Sequence, residues 1–223
     1  MTAIAAVSTR LLLHRPPQDD ARPTAVAVLD RLRDGNARFA ADECAHPRGD
    51  SARRAETSEH GQRPFATIIT CSDSRVPPEW LFDAGIGDLF VVRVAGNVCN
   101  VDEVGSIEYG VVHLETPVCV VLGHTQCGAV TAVAQDADLG GPIARLVQPI
   151  REVVAQIRST SEPMEGGAFI DAAIRANVQR SIDDLLAGSA ATRARVEGGA
   201  LQVAGAIYHL DDGTVEWLDA VGG

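Results

Sequence analysis

Residues 65–71, FATIITC, followed at once by SDSR at 72–75, decide how this chain folds. The run is short, rich in β-branched residues and almost continuously apolar. That is the pattern of a strand buried on both faces of a parallel sheet. Two more runs share it, LFVVRV at 89–94 and VCVVLG at 118–123, and a fourth, LQVAGAIY, spans 201–208. Helical patterns lie between them. Val28, Leu29, Leu32 and Phe39 fall near one face of a helix over 24–40. Pro77-Pro78 opens a short helix through Leu81, since proline suits a first turn. Further helices are expected over 102–114, from near Cys127, and over 142–158. A long one over 168–187 carries Ile170, Ile174, Val178 and Ile182 at four-residue spacing, with Gly188 placed to stop it. HLDDG at 209–213 reads as a hairpin turn into an antiparallel finishing strand, Thr214–Leu218. Alternating strands and helices give an α/β domain with right-handed crossovers. Residues 1–23 are an Arg/Pro/Asp-rich arm without a sustained period, expected to be mobile, and 24–223 read as a single domain. The stretch 42–63 is polar and charged.

Composition narrows the chemistry. The 223 residues carry 30 acidic and 19 basic side chains, a formal charge of −11, and every basic residue is arginine. Without lysine there is no Schiff base, no pyridoxal-phosphate chemistry and no P-loop lysine. GC-rich coding would also produce a lysine-free chain. The acidic balance argues against nucleic acid and membrane surfaces as partners, because both need a cationic face. No stretch approaches the ~18–20 apolar residues of a membrane span. Leu11-Leu12-Leu13 is interrupted at once by His14 and Arg15, too short for a signal-peptide core. Five cysteines, an odd number in a chain too large to need disulfide staples, read as reduced thiols or metal ligands in the cytoplasm.

Two polar clusters sit where strands end, Cys71-Ser72-Asp73-Ser74-Arg75 and His124-Thr125-Gln126-Cys127-Gly128. Open α/β sheets bind ligands beyond the carboxyl ends of their strands, where strand order reverses. Cys71, His124 and Cys127 form a zinc-type set, three ligands leaving one tetrahedral position open. Cys44, Cys99 and Cys119 read as small apolar fillers. A cysteine nucleophile with His124 as base is the rival chemistry, and it leaves one of the two thiols without a role. A phosphatase loop needs arginine six residues after the cysteine, where Pro77 stands. GIGDLF at 85–90 fails the dinucleotide fingerprint, with Phe90 in place of its third glycine. Arg75, two residues beyond Asp73, can hold that carboxylate in a bidentate pair. So paired, Asp73 stays ionised and can orient a metal-bound water. Unpaired, it can become the fourth ligand and close the site.

CSDSRVPPEW (71–80), GDLFVVRVAGN (87–97), SIEYGV (106–111) and VLGHTQCGAV (121–130), in this order, make the chain resemble a β-class carbonic anhydrase over roughly 32–218. The resemblance implies a four-stranded parallel sheet with an antiparallel fifth edge strand and helices on both faces. It implies a homodimer or homotetramer with the site at the subunit interface. It also implies Zn²⁺ on Cys71, His124 and Cys127, with Asp73 and Arg75 as the catalytic pair. Gln62 is then expected to reach substrate across the interface, with Phe90, Tyr109 and Gly128 lining the substrate pocket. The implied reaction is reversible hydration of carbon dioxide to bicarbonate and a proton by a zinc-bound hydroxide. Hydrolysis of COS or CS2 on the same scaffold, or a non-catalytic zinc- or bicarbonate-binding domain, are the alternatives. Gly110 stands where alanine is more usual, expected to be a small change in helix packing. Ile68 replaces the tryptophan of the bicarbonate-regulated branch, which would act with Arg93 and Tyr208. An open site with water as fourth ligand is therefore expected.

Overall fold

The computed structural model describes residues 21–160 and 164–222. Its five strands, β1 (Ala66–Cys71), β2 (Leu89–Val94), β3 (Val118–His124), β4 (Gln202–Tyr208) and β5 (Val215–Val221), form one sheet in the order β2-β1-β3-β4-β5. β1 to β4 are parallel and β5 runs antiparallel to β4. Every residue of β1 and β3 is buried, which is why both read as unbroken apolar runs. The chain leaves β1 for β2 on one side, then returns to lay β3 on the other side. Strand order therefore reverses between the carboxyl ends of β1 and β3.

Helices cover both faces. α1 (Ala25–Ala40), α2 (Ser51–His60) and α3 (Pro78–Leu81) come first, and α4 (Val101–Glu108) and α5 (Gly128–Ala134) follow. α6 (Gly141–Leu146), α7 (Gln148–Thr160), α8 (Gly166–Gly188) and α9 (Ala190–Glu197) complete the set among the described residues. One core packs α1 and α3 on Ile68, Val120 and Leu122, and the other packs α4, α5, α7 and α8 on Ile69, Cys119 and Val121. α8 lies so close to β3 that a Cβ at Gly123 would come within 2.6 Å of Val178. On the other face, buried Asn36 of α1 donates to the Leu81 and Gly213 carbonyls and accepts from the Val215 N–H. One side chain thereby ties α1 to α3 and to the β4–β5 hairpin.

Several boundaries differ from the sequence expectation, each for a local reason. α2 has no buried residue, so it leaves no apolar period in a stretch that reads only as polar and charged. It is held by its Asp50 cap and by Arg53, which donates to the Ile86 carbonyl. The helix expected over 142–158 is two. Pro149 has no N–H and its ring blocks the carbonyl four residues back, so the chain restarts at Gln148. The segment expected as one helix over 102–114 widens after Glu108 into a π-type turn, Tyr109–His113. Gly188 closes α8, but Ser189 caps a further helix, accepting from the Thr192 N–H at 3.0 Å. The expected arm lies outside the described residues up to position 20. Arg22, near its end, is anchored to the Pro64 and Leu114 carbonyls.

Gly110 is more than the small packing change expected of it. An added Cβ would sit 2.5 Å from Thr67 Oγ1 and 2.8 Å from the Phe90 ring. Thr67 is fully buried and bonded to Thr116 at 2.8 Å, so it has little room to yield. Gly110→Ala is expected to lower stability by roughly 1–3 kcal/mol, the usual cost of overpacking. A lower urea midpoint at unchanged slope would register it, and an unaltered midpoint would show that the Tyr109–His113 turn shifts freely.

Candidate metal centre

Strand pairing delivers the site. β1 and β3 pair from Thr67↔Cys119 to Thr70↔Leu122, so Cys71 ends β1 beside the last residues of β3. His124 is the final residue of β3. Thr125 and Gln126, the latter with φ of 56°, reverse the chain and place Cys127 as the cap of α5. The two Sγ atoms lie 4.0 Å apart, and with the His124 ring nitrogen all three ligand atoms fall within 4.8 Å of one another. Tetrahedral zinc with Zn–S bonds of about 2.3 Å holds two sulfurs roughly 3.8 Å apart. All three residues are buried.

The imidazole supplies the sharpest indication. Its Nδ1 lies 2.9 Å from the Thr125 carbonyl and donates to it, which leaves Nε2 with a lone pair. That Nε2 is buried and has no hydrogen-bond partner in the protein. An orphaned acceptor facing two thiols fits a soft divalent cation.

The thiols behave as a pair. Cys71 is held low, to about 4, chiefly because the Cys127 thiol donates to its thiolate, with the Gly96 N–H assisting at 3.3 Å. Cys127 is pushed up by the same hydrogen bond and by burial, since a second charge beside the first is opposed. A cation would remove that opposition. Cys119, fully buried, is raised to about 12, and Cys99 is raised likewise by burial. Both are core fillers, and all five cysteines are free of disulfides.

Asp73 is paired as its spacing suggested. Arg75 Nε donates to Oδ1 at 2.9 Å and the guanidinium NH2 to Oδ2 at 2.8 Å, while the Arg75 backbone N–H also reaches Oδ1. The carboxyl consequently lies well below the usual carboxylate range, with the Arg75 side chain the largest cause and burial opposing it. Asp73 Oδ2 stands 4.0 Å from His124 Nε2, beside the ligand atoms and facing the guanidinium. Arg93 holds the backbone of this loop, donating to the Cys71 carbonyl at 3.0 Å and the Asp73 carbonyl at 2.6 Å.

A profile of the carbonic anhydrase family matches residues 66–215. "Carbonic anhydrase 2" of Mycobacterium tuberculosis is 39% identical over 201 residues, covering 88% of this chain and 94% of its own. A carbonic anhydrase of Mycolicibacterium smegmatis is 40% identical over 197 residues, covering 88% and 95%. The solved β-carbonic anhydrase CcaA superposes with a TM-score of 0.69 at 28% identity, covering 88% of this chain and 92% of that one. The chain belongs to the β-carbonic anhydrase family.

Among the residues expected for a carbonic anhydrase site, the structure brings together Cys71, Asp73, Arg75, His124 and Cys127. Gly128 opens α5 beside them, and a Cβ there would meet nothing within 4 Å. Phe90 and Tyr109 are elsewhere. Phe90 pairs with Thr67, four residues below Cys71, which is roughly 13 Å along the strand. Tyr109 stacks on it with ring centroids 5.8 Å apart. Gln62 is exposed on the segment that enters the amino end of β1. Neither aromatic joins the thiols of its own chain. The Arg93 contacts and the Gly96 N–H on sulfur escaped a reading by spacing, because both come from the end of a strand more than twenty residues away.

Arg75→Ala should return the Asp73 carboxyl towards the ordinary range. A group whose folded pKa is depressed contributes stability above its unfolded value of about 4 and loses it as pH falls through the folded value. The stability gap between wild type and variant should thus be full near neutrality and close in acid. Carbon NMR of the Asp73 carboxyl and denaturation across that range would both read it. An unshifted Asp73 titration in the variant would show that Arg75 does not hold it.

Proposed function

We propose that this protein catalyses the reversible hydration of carbon dioxide at a zinc ion held by Cys71, His124 and Cys127. The observation that carries the reading is the buried, unpartnered His124 Nε2 facing two thiols, with an ionised carboxylate 4.0 Å away. Zn²⁺ bound there supplies the Lewis acidity that makes water a nucleophile near neutral pH. Asp73, kept ionised by Arg75, would accept a hydrogen bond from a water at that centre and so orient it. With Asp73 committed to Arg75, that carboxylate would not serve as a further ligand, which favours an enzyme over a domain closed by its own carboxylate. Gly128 leaves the approach open, and Arg93 keeps the Cys71–Asp73 backbone in place.

Carbon dioxide needs an apolar wall, and Phe90 and Tyr109 do not join the thiols of their own chain. Phe90 and Tyr109 are the candidates, with Gln62 as a hydrogen-bonding group for substrate, and a homodimer or homotetramer would present them to a neighbouring subunit's site. β2 supports this arrangement, since it is the sheet edge, carries Phe90, and keeps Val91 and Val92 only half-buried. Assembly would finish both the sheet edge and the pocket. No described helix is long and apolar enough to cross a membrane.

Stopped-flow measurement of CO2 hydration on zinc-loaded protein, from about pH 6 to 9, tests the proposal, with COS and CS2 run alongside. His124→Ala should lose zinc and hydration together. A metal-free variant that hydrates CO2 at the full rate would refute the metal-centred reading, and turnover of COS or CS2 alone would reassign the substrate. Arg75→Ala should keep its zinc and lose roughly 10–100-fold in rate, as expected when the support of a metal site is removed. Co-expressed Gln62→Ala and His124→Ala chains should together regain activity that neither has alone. Failure to complement would place Gln62 outside the partner's site.

A further inference from the structure

α8 carries two buried polar side chains one turn apart, Asn177 and Ser181, on the face that packs against the sheet. A helix face in an apolar core gains nothing from them unless they have partners. Both partners lie in the turn Ala95–Asn97 that follows β2. Asn177 Nδ2 donates to the Gly96 carbonyl at 2.7 Å. The opposite amide orientation would set two oxygens at that distance, so the donor is fixed. The Ser181 hydroxyl lies 2.9 Å from the Asn97 carbonyl and 2.9 Å from that of Asn177, which share it.

Gly96 is the residue between. Its carbonyl receives Asn177, and its N–H donates to Cys71 Sγ at 3.3 Å. Its φ of 75° is left-handed, and a Cβ there would meet Ile150 Cδ1 at 2.7 Å and Ala129 Cβ at 3.2 Å. Asn97 follows with φ of 46°, so two successive residues hold a conformation that most side chains resist. Such a turn keeps its shape when something outside it fixes its carbonyls. α8 does so, locked to β3 by Val178 over Gly123.

We infer that Asn177, supported by Ser181, is a positioning residue for the metal centre: it fixes the Gly96 peptide so that its N–H draws charge from the Cys71 thiolate. This rests on the metal-binding reading of Cys71, His124 and Cys127 proposed above. Two thiolates donate more charge than imidazoles and blunt a bound metal's acidity. A peptide N–H on one sulfur withdraws part of that charge and also sets the direction of its remaining lone pairs.

The test uses full-length protein labelled with ¹⁵N and loaded with ¹¹³Cd. In the wild type, the Gly96 amide proton should show a coupling to cadmium through the sulfur. Absence of that coupling in a protein holding one cadmium overturns the inference. A protein that takes up no cadmium fails at the metal-binding reading itself. Asn177→Leu should lose the coupling and weaken zinc binding roughly 10–100-fold in a chelator competition. It should also move the thiolate-to-metal absorption of the cobalt-loaded protein to lower energy. A folded Asn177→Leu protein with coupling, affinity and absorption unchanged would remove Asn177 from the role. If that variant does not fold, Ser181→Ala takes its place. It should shift the same absorption in the same direction by a smaller amount, and an unmoved band there would count against the inference.

Discussion

Two sulfur atoms 4.0 Å apart in a buried site cannot both carry charge unless a cation stands between them and the solvent they have lost. Much of the structure serves that constraint. Parallel pairing of β1 with β3 brings the sulfurs together, and the Thr125–Gln126 reversal aims Cys127 back at Cys71. The Thr125 carbonyl fixes the imidazole tautomer, and the Gly96 N–H tempers the first thiolate. Without a metal the pair holds one proton more than the metal site needs, so metal binding should be coupled to proton release.

Arginine does the remaining electrostatic work, and its planar fork explains how. Arg75 on Asp73, Arg158 on Asp136 and Arg175 on Glu216 are two-pronged pairs that an ammonium could not reproduce. The same holds for buried Asp88, which gathers Arg48 and Arg31 and accepts the Gly85 N–H, fastening α1 and the 42–50 segment to the start of β2. Asp83 does likewise a few residues earlier. Burial alone would raise its pKa, yet Arg38 and the N–H groups of Ala45 and His46 hold it lowered. A lysine-free composition thus costs this fold nothing at its buried carboxylates, whatever its origin in the coding sequence.

The elements that were legible in the sequence are those whose burial is complete. FATIITC, LFVVRV and VCVVLG stand out because parallel central strands have no wet face, and the matching strands start or end within a residue of those runs. The four-residue ridge of α8 showed for the related reason that it is apolar on the sheet side. α2 did not show, since nothing on it is buried and its hold on the protein is ionic and through backbone carbonyls. The break at Pro149 was visible as a letter and still missed, because apolar spacing continues across it. At Gly110 the sequence suggests only a small change in helix packing, because Thr67 and Phe90 come close to it through tertiary packing alone.

At the site, residue type and short spacing were enough to pick out the candidates: two cysteines and a histidine at strand ends, and an aspartate two residues from an arginine. Local spacing suffices there because Asp73 meets Arg75 through a few bonds of backbone, and His124 reaches Cys127 within one turn. The tertiary structure alone decided which nitrogen of His124 is free, and that the Gly96 amide reaches sulfur under the hold of Asn177. It also decided that Phe90, with Tyr109 against its ring, sits roughly four strand residues away from the thiols of its own chain. Those facts depend on which strand lies beside which and in what register, and long-range packing sets them where no local pattern records them.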